Sequence, residues 1–173
     1  VNFNLFYLFI LGNFKAVFKD EELRLYLGIF AAATLLIAWD ITNMMGSAKE
    51  ALHHAAFTVS TIMTTTGFAT ADFDMWPGFS KSIILVLMLL GAMAGSTGGG
   101  LKVSRVILLQ RTVKRGMRRM IHSRSVGSVR FEGRMMEEDT INACLVYLAV
   151  YCMISVASVI IVSLNNFSFE TNV

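Results

Sequence analysis

Charge and cysteine are both scarce in this sequence. Of its 173 residues 16% are charged and 55% are hydrophobic, whereas an ordinary soluble domain is about a quarter charged. This deficit excludes an ordinary soluble domain and predicts a membrane protein. The two cysteines, Cys144 and Cys152, are eight residues apart in one apolar stretch. On a helix they would be separated by about 12 Å, too far for a disulfide, so we expect packing roles.

The usual constellations of a catalytic site are also missing from the sequence. It shows no spaced carboxylate pair and no nucleophile beside a base, and His53 and His54 have no third ligand close in sequence. We therefore predict that the chain is not an enzyme and has no organic cofactor. A membrane enzyme and a non-conducting membrane scaffold are kept as alternatives.

Three long apolar stretches dominate what is present, at residues 25–45, 82–101 and 140–164. Crossing a bilayer takes about 20 mostly apolar residues. The second and third stretches meet that length without a charge, and the first meets it if Asp40 lies at the interface. We expect Asp40 at the outer end of its helix, the alternative being a proton relay.

Basic residues set the predicted orientation. Ten of the 15 Lys and Arg fall between the second and third stretches: Lys102, Arg105, Arg111, Lys114, Arg115, Arg118, Arg119, Arg124, Arg130 and Arg134. Short loops rich in Lys and Arg stay in the cytoplasm, so 102–134 is predicted inside and 46–79 outside. We expect the basic run to contact lipid headgroups, and we predict no nucleic-acid partner.

The start of the chain repeats apolar residues at helical spacing through Phe18. We predict an interfacial helix on the cytoplasmic face; the alternative is the tail of another spanning helix. A start without Met suggests a fragment. "KDEEL" at 19–23 then opens the first spanning helix, because acids suit a helix N-terminus.

A run rich in hydroxyl residues, "STIMTTTGFATADF" at 60–73, lies between two hydrophobic stretches. The preceding 48–63 has no helix breaker but is too short to cross, so we expect a re-entrant helix and loop. Threonine oxygens, backbone carbonyls and the conformational freedom of Gly67 suit a cation-lining strand. Asp72 and Asp74 would concentrate cations outside it. The alternative is an outer loop with two solvated acids.

A glycine-rich run, "GAMAGSTGGGLK" at 91–102, falls late in the second apolar stretch. Each glycine costs a helix about 1 kcal/mol, so we predict a break near 95–101. One alternative is helix packing through the G-x-x-x-G spacing of Gly91, Gly95 and Gly99; a phosphate loop fits worse. Lys102 is expected to snorkel to the inner interface, or else to face a pore.

The stretches "TTTGFATADFDMWP" and "GAMAGSTGGGLKV" together resemble the third repeat of the Trk/Ktr/HKT superfamily of potassium transporters, and within it the bacterial TrkH type. The resemblance implies an all-α membrane protein in which four helix, pore-loop, helix repeats surround one pore. Thr65, Thr66, Gly67 and Phe68 match the family filter, with potassium held at Thr65, Thr66 and Gly67. Ala69 replaces the second glycine of a potassium-channel filter. The implied gate is an intramembrane loop under the filter, formed by Gly95, Ser96, Thr97, Gly98, Gly99, Gly100 and Lys102.

The resemblance also implies a function and partners. The function is potassium transport in a bacterial inner membrane. The partners are membrane lipid, the remaining repeats of the same chain, a second copy in a homodimer, and a cytosolic TrkA-like nucleotide-binding regulatory subunit. The alternative is a self-sufficient homotetrameric helix-pore-helix channel, against which the third apolar stretch argues.

These predictions divide the chain into eight segments. They are a cytoplasmic interfacial helix and linker at 1–24, a transmembrane helix at 25–46, a pore helix at 47–63, the filter and outer vestibule at 64–74, a broken transmembrane helix at 79–110, a basic cytoplasmic segment at 111–138, the first transmembrane helix of the next repeat at 139–164, and an extracellular end at 165–173.

Overall fold

The computed structural model describes residues 2–122, 129–131 and 134–164. It forms two compact units, Val1–Ser104 and Arg105–Val173, and each is described by itself. The predicted extracellular end at 165–173 and Arg124 lie outside the described residues.

The first unit begins with two short helices, α1 (Phe3–Ile10) and α2 (Phe14–Lys19). Gly12 has a φ of 74°, and its N–H donates to Phe9 O while the N–H of Asn13 donates to Leu8 O. This left-handed cap ends α1, so the stripe predicted as one helix is divided in two. Leu5 is buried on α1, whereas much of the predicted apolar stripe is exposed: Phe3, Phe6, Tyr7, Ile10, Phe14 and Phe18.

Helix α3 (Glu21–Met45) is the long helix of this unit. Asp20 caps its start by accepting the Leu23 N–H at 2.7 Å, and Gly46, with a φ of 71°, ends it. The helix starts four residues before the predicted span at 25. Its 25 residues rise about 37 Å, enough to cross a bilayer core of about 30 Å.

Helix α4 (Ala48–Met63) packs against α3. Four residues at four-residue spacing form its fully buried face: Ala51, Ala55, Val59 and Met63. The two alanines let the helices approach closely. At 16 residues, or about 24 Å, α4 is shorter than a bilayer core.

Helix α5 (Gly78–Leu89) follows a 3-10 turn at Phe73–Met75. The Asp40 carboxylate accepts the Ser80 N–H at 3.2 Å and its hydroxyl at 2.6 Å. Because first-turn N–H groups have no partner within their own helix, Asp40 of α3 satisfies one of them, and Ser80 is fully buried. This bond gives Asp40 a structural role near the C-terminal end of its helix.

The second unit contains most of α6 (Val103–Ile121), the hairpin strands β1 (Arg130–Phe131) and β2 (Arg134–Met135), and α7 (Glu138–Ser163). The strands are antiparallel, with Arg130 opposite Met135. The predicted boundary between 110 and 111 falls inside α6, which continues without a break. A buried cluster joins these elements: Leu108, Val129, Ile141 and Cys144.

Polar contacts also connect α6 to α7. The Arg115 guanidinium bonds both oxygens of the Glu138 carboxylate, at 2.5 and 3.0 Å, and the Arg105 guanidinium lies 3.7 Å from the centre of the Tyr147 ring. Cys144 is buried and Cys152 is exposed, and both are free thiols. The cysteines therefore differ in environment, and only Cys144 has the expected packing role.

Two helices in the described part of the chain, α3 and α7, are long and apolar enough to cross a membrane. Helix α7 exposes apolar side chains along much of its length, among them Val146, Met153, Ile154 and Ile160, as a spanning helix does. Helix α5 is apolar but has 12 residues and rises only about 18 Å. The second predicted span is therefore a short helix followed by a non-helical loop.

Candidate functional site

The hydroxyl run starts within the last turn of α4, and its residues 64–67 form a tight turn directly after that helix. The Thr65 N–H donates to Ile62 O at 3.0 Å, and the Thr66 N–H donates to Thr61 O at 2.9 Å. This pair of bonds is the Schellman pattern, whose left-handed position usually holds glycine. Here Thr65 holds it with a φ of 55°, the one non-glycine residue with positive φ in the described ranges. A β-branched residue in this conformation is strained.

Threonine hydroxyls stabilise the strained turn. Thr64 Oγ1 donates to Ser60 O at 2.6 Å and lies 2.7 Å from Thr66 Oγ1, and Thr65 Oγ1 donates to Thr64 O at 2.7 Å. Thr64 thus closes the helix end, a role that the sequence motif did not assign to it. The network holds Thr65 and Thr66 in a defined position.

The turn directs backbone oxygens away from α4. In a planar trans peptide the N–H and C=O point in opposite directions, and the Thr66 N–H points back to Thr61 O. The Thr65 carbonyl therefore points away from the helix. Gly67 has a φ of 86° with no atom within 4 Å of an added Cβ, and Phe68 is 71% exposed. The predicted filter is thus an exposed turn with two left-handed residues.

Two contacts lie in the segment that follows this turn. His54 Nδ1 of α4 lies 3.1 Å from Thr70 Oγ1, which ties the strand after the turn to the helix before it. Asp72 and Asp74 are exposed, and Asp72 accepts the Asp74 N–H at 3.0 Å. Sequence reasoning assigned no role to His54, because its partner is 16 residues away.

The glycine-rich run forms a closed loop over residues 90–102. Its ends pair as Leu90 with Leu101 in a parallel bridge, where the Gly91 N–H donates to Leu101 O at 2.8 Å and the Leu101 N–H donates to Leu89 O at 3.2 Å. The break therefore begins five residues before the predicted 95, since this pairing replaces helical bonds at both ends.

Glycine is required where the two ends of the loop cross. A Cβ built on Gly91 would lie 2.0 Å from Gly99 O, and one built on Gly100 would lie 2.8 Å from Gly91 Cα. Gly100 also has a φ of 77°. Because the stretch is not helical, its G-x-x-x-G spacing is not a helix-packing motif here. Backbone-to-backbone contact explains the glycines at 91 and 100.

Lys102 points back to the loop. Its ammonium donates to the carbonyl oxygens of Gly98 and Ser96 and is half-buried. These bonds differ from the snorkelling expected from the sequence, since the charge satisfies loop carbonyls that have no helical partner. Ser96 Oγ also donates to Met93 O at 2.6 Å. The loop is therefore stabilised from within.

The loop lies close to the turn that follows α4. A Cβ built on Gly98 would lie 3.6 Å from Thr65 Oγ1 and 2.6 Å from the Ala92 side chain. On its other side, Gly95 O accepts the Phe3 N–H at 3.4 Å. The structure thus places Gly98 of the second motif close to Thr65 of the first, more than 30 residues earlier in the chain.

Comparison with known proteins identifies this arrangement. The family model described as TrkH, cation transport protein, matches residues 17–172. The chain belongs to the TrkH family. The resemblance predicted from the two motifs is therefore confirmed, and both motifs fall within the matched TrkH region.

Named relatives agree with the family match. The chain is 31% identical over 163 residues to the Trk system potassium uptake protein TrkH of Salmonella typhimurium, and 25% identical over 173 residues to TrkG of Escherichia coli. These alignments cover 92% and 99% of the chain but 34% and 36% of the relatives. The chain spans about a third of the length of these relatives.

A solved TrkH structure has the same fold. The crystal structure of the potassium transporter TrkH from Vibrio parahaemolyticus superposes with a TM-score of 0.86 at 28% identity. The match covers 97% of this chain and 37% of that one. The predicted all-α membrane architecture is confirmed. The two-residue strands β1 and β2 are the part of the described structure that this prediction did not include.

Proposed function

We propose that this chain is part of a Trk-type uptake protein that carries potassium across a membrane. It would supply one of four filter segments together with the gate loop below that segment. The observation that carries the proposal is the proximity of the two motifs, since a Cβ built on Gly98 of the loop would lie 3.6 Å from the Thr65 hydroxyl oxygen. An ion leaving the filter at Thr65 would meet the loop next.

Backbone and hydroxyl oxygens at Thr65, Thr66 and Gly67 would replace water around potassium. The exposed turn and the outward Thr65 carbonyl support this role. The end of α4 points its negative dipole at the same place. One segment supplies one side of an ion site, and the remaining repeats of the full-length protein would supply the others.

The membrane setting follows from the same proposal. Residues 102–134 would face the cytoplasm of a bacterium, and α3 and α7 would cross its inner membrane. The basic residues of α6 would contact lipid headgroups and a nucleotide-binding regulatory subunit of the TrkA kind, and the full-length protein would form a homodimer. No enzymatic step belongs to this function.

Potassium flux into liposomes that contain the purified full-length protein tests the function. We expect flux above that of protein-free liposomes, and four pore segments in the full-length sequence. A single pore segment would favour the homotetrameric channel. Absence of flux from well-folded protein, with and without regulatory subunit, would favour a scaffold.

Replacing both Asp72 and Asp74 by asparagine is expected to reduce potassium flux about tenfold at low ionic strength. At high ionic strength the same double substitution should change the flux little. Both carboxylates are exposed beside the filter, and the Debye length falls from about 30 Å at 0.01 M salt to about 3 Å at 1 M. The measurement is initial flux against ionic strength. Asp139→Asn, an exposed acid at the start of α7, is the control, and a loss independent of salt would contradict cation collection.

Removing Ser96 and Thr97 is expected to raise potassium flux per molecule severalfold and to weaken its dependence on a regulatory subunit. The shortened loop keeps the pairing of Leu90 with Leu101 but loses its reach under Thr65. A gate needs two positions within a few kcal/mol of each other, and the deletion disfavours the obstructing one. The measurement is uptake per purified molecule in liposomes; unchanged or lower flux would count against the gate.

A further inference from the structure

A buried acid of α3 bonds both the glycine-rich loop and the helix that follows the loop. Glu22 is in the first turn of α3 and is 3% exposed. Its Oε1 accepts the Ala94 N–H at 2.8 Å and the Ser104 N–H at 2.9 Å. Ala94 lies within the loop. Ser104 lies in the first turn of α6, which follows the loop. A single oxygen atom therefore bonds one residue of the loop and one residue of α6.

We propose that Glu22 is a positioning residue that holds the gate loop in place under the filter. The proposal rests on the proposed transport function, since it assigns the loop the role of gate. Sequence reasoning placed Glu22 only at a helix N-terminus, where a charged side chain is usually exposed. Glu22 differs from such an exposed acid because it is buried, and a buried carboxylate is stable only when it is hydrogen-bonded.

Electrostatics favour the same arrangement. Glu22 lies in the first turn of α3, and its carboxylate also bonds the first turn of α6. Helix N-termini carry partial positive charge, and N–H bonds to a carboxylate are stronger than neutral ones. The carboxylate thus lies where two helices favour a negative charge, and it holds residues 94 and 104 close together. Opening of the loop separates these residues and breaks at least one bond.

The bond geometry predicts which substitutions preserve the role. Both N–H groups donate to Oε1, so the side-chain oxygen of Glu22→Gln can accept both bonds without a charge. Glu22→Asp keeps the charge but is one methylene shorter, so its oxygen cannot reach both donors. Glu22→Ala removes both bonds. The proposal therefore ranks glutamine closest to the parent protein, then aspartate, then alanine.

Hydrogen–deuterium exchange on the full-length protein in nanodiscs tests this ranking directly. In Glu22→Ala we expect amides of residues 90–104 to exchange about ten- to hundredfold faster, the effect of losing bonds to a charged group. In Glu22→Gln the same amides should exchange about three- to tenfold faster than in the parent protein at most. Peptides from α4 should not change. Glu50→Ala, which removes an exposed acid from the first turn of α4, is the matched control.

Three results would overturn the proposal. They are unchanged exchange in Glu22→Ala, an equal rise along the whole chain, or an aspartate variant that protects residues 90–104 better than the glutamine variant. If Glu22→Ala does not fold, the comparison of Gln with Asp still decides.

Potassium flux provides a separate readout. We expect the flux per molecule of Glu22→Ala to rise severalfold over that of the parent protein. Faster local exchange with an unchanged, measurable flux would overturn the gating role. Faster local exchange in a protein whose parent carries no potassium would leave the positioning of the loop intact and would refute the proposed function instead.

Discussion

Replacing Gly91 by alanine is expected to destabilise the protein by about 3 kcal/mol, the upper part of the usual range for overpacking. The new Cβ would lie 2.0 Å from Gly99 O and within 3 Å of two Gly100 backbone atoms. Backbone atoms cannot move aside as a flexible side chain can, so the loop must open. The bond from the Gly91 N–H to Leu101 O would then be lost as well.

Gly99→Ala is the matched control for this prediction. Gly99 lies in the same run, but an added Cβ finds no atom of this chain within 4 Å, and its φ is not positive. We expect an effect within about 0.5 kcal/mol. The measurement is the melting temperature of the purified full-length protein. Equal effects at both positions would show that flexibility, and not the crossing of two backbones, explains the glycines.

Replacing Gly67 by alanine is expected to reduce potassium uptake about five- to thirtyfold. Gly67 holds a φ of 86°, a conformation that costs other residues about 1–2 kcal/mol. The backbone of the variant would therefore favour a conformation in which the filter carbonyls turn away from the ion. The measurement is growth of an uptake-deficient host in low potassium, combined with flux per molecule.

Gly46→Ala separates filter geometry from local strain. Gly46 has a φ of 71° and no atom within 4 Å of an added Cβ, so the substitution imposes a similar conformational cost at the end of α3. We expect near-normal uptake from Gly46→Ala at equal protein level. If both variants lose uptake to the same extent, the filter assignment of Gly67 is wrong.

Local sequence predicted much of the candidate site. The hydroxyl run follows α4 as expected, and Gly67 has the positive φ expected of it. Glycines did break the second apolar stretch. These features depend on backbone preference and hydropathy over a few residues, which a sequence displays directly.

Other features depend on residues far apart in the sequence. The start of the break at Leu90 follows from its pairing with Leu101, and the direction of the Lys102 side chain follows from loop carbonyls that only the folded loop presents. The positive φ of Thr65 contradicts residue preference. It is held by helix-end bonds and by a hydroxyl network.

By itself, the sequence determined that this protein is helical, that it has long apolar helices, and that it carries two motifs typical of one transporter family. Hydropathy and glycine content act locally, and so they can be read along the chain. Only the tertiary structure decided that the two motifs lie close together at Thr65 and Gly98, and that Glu22 bonds partners 72 and 82 residues away. Such bonds depend on helix packing, which brings distant backbone donors to one buried carboxylate.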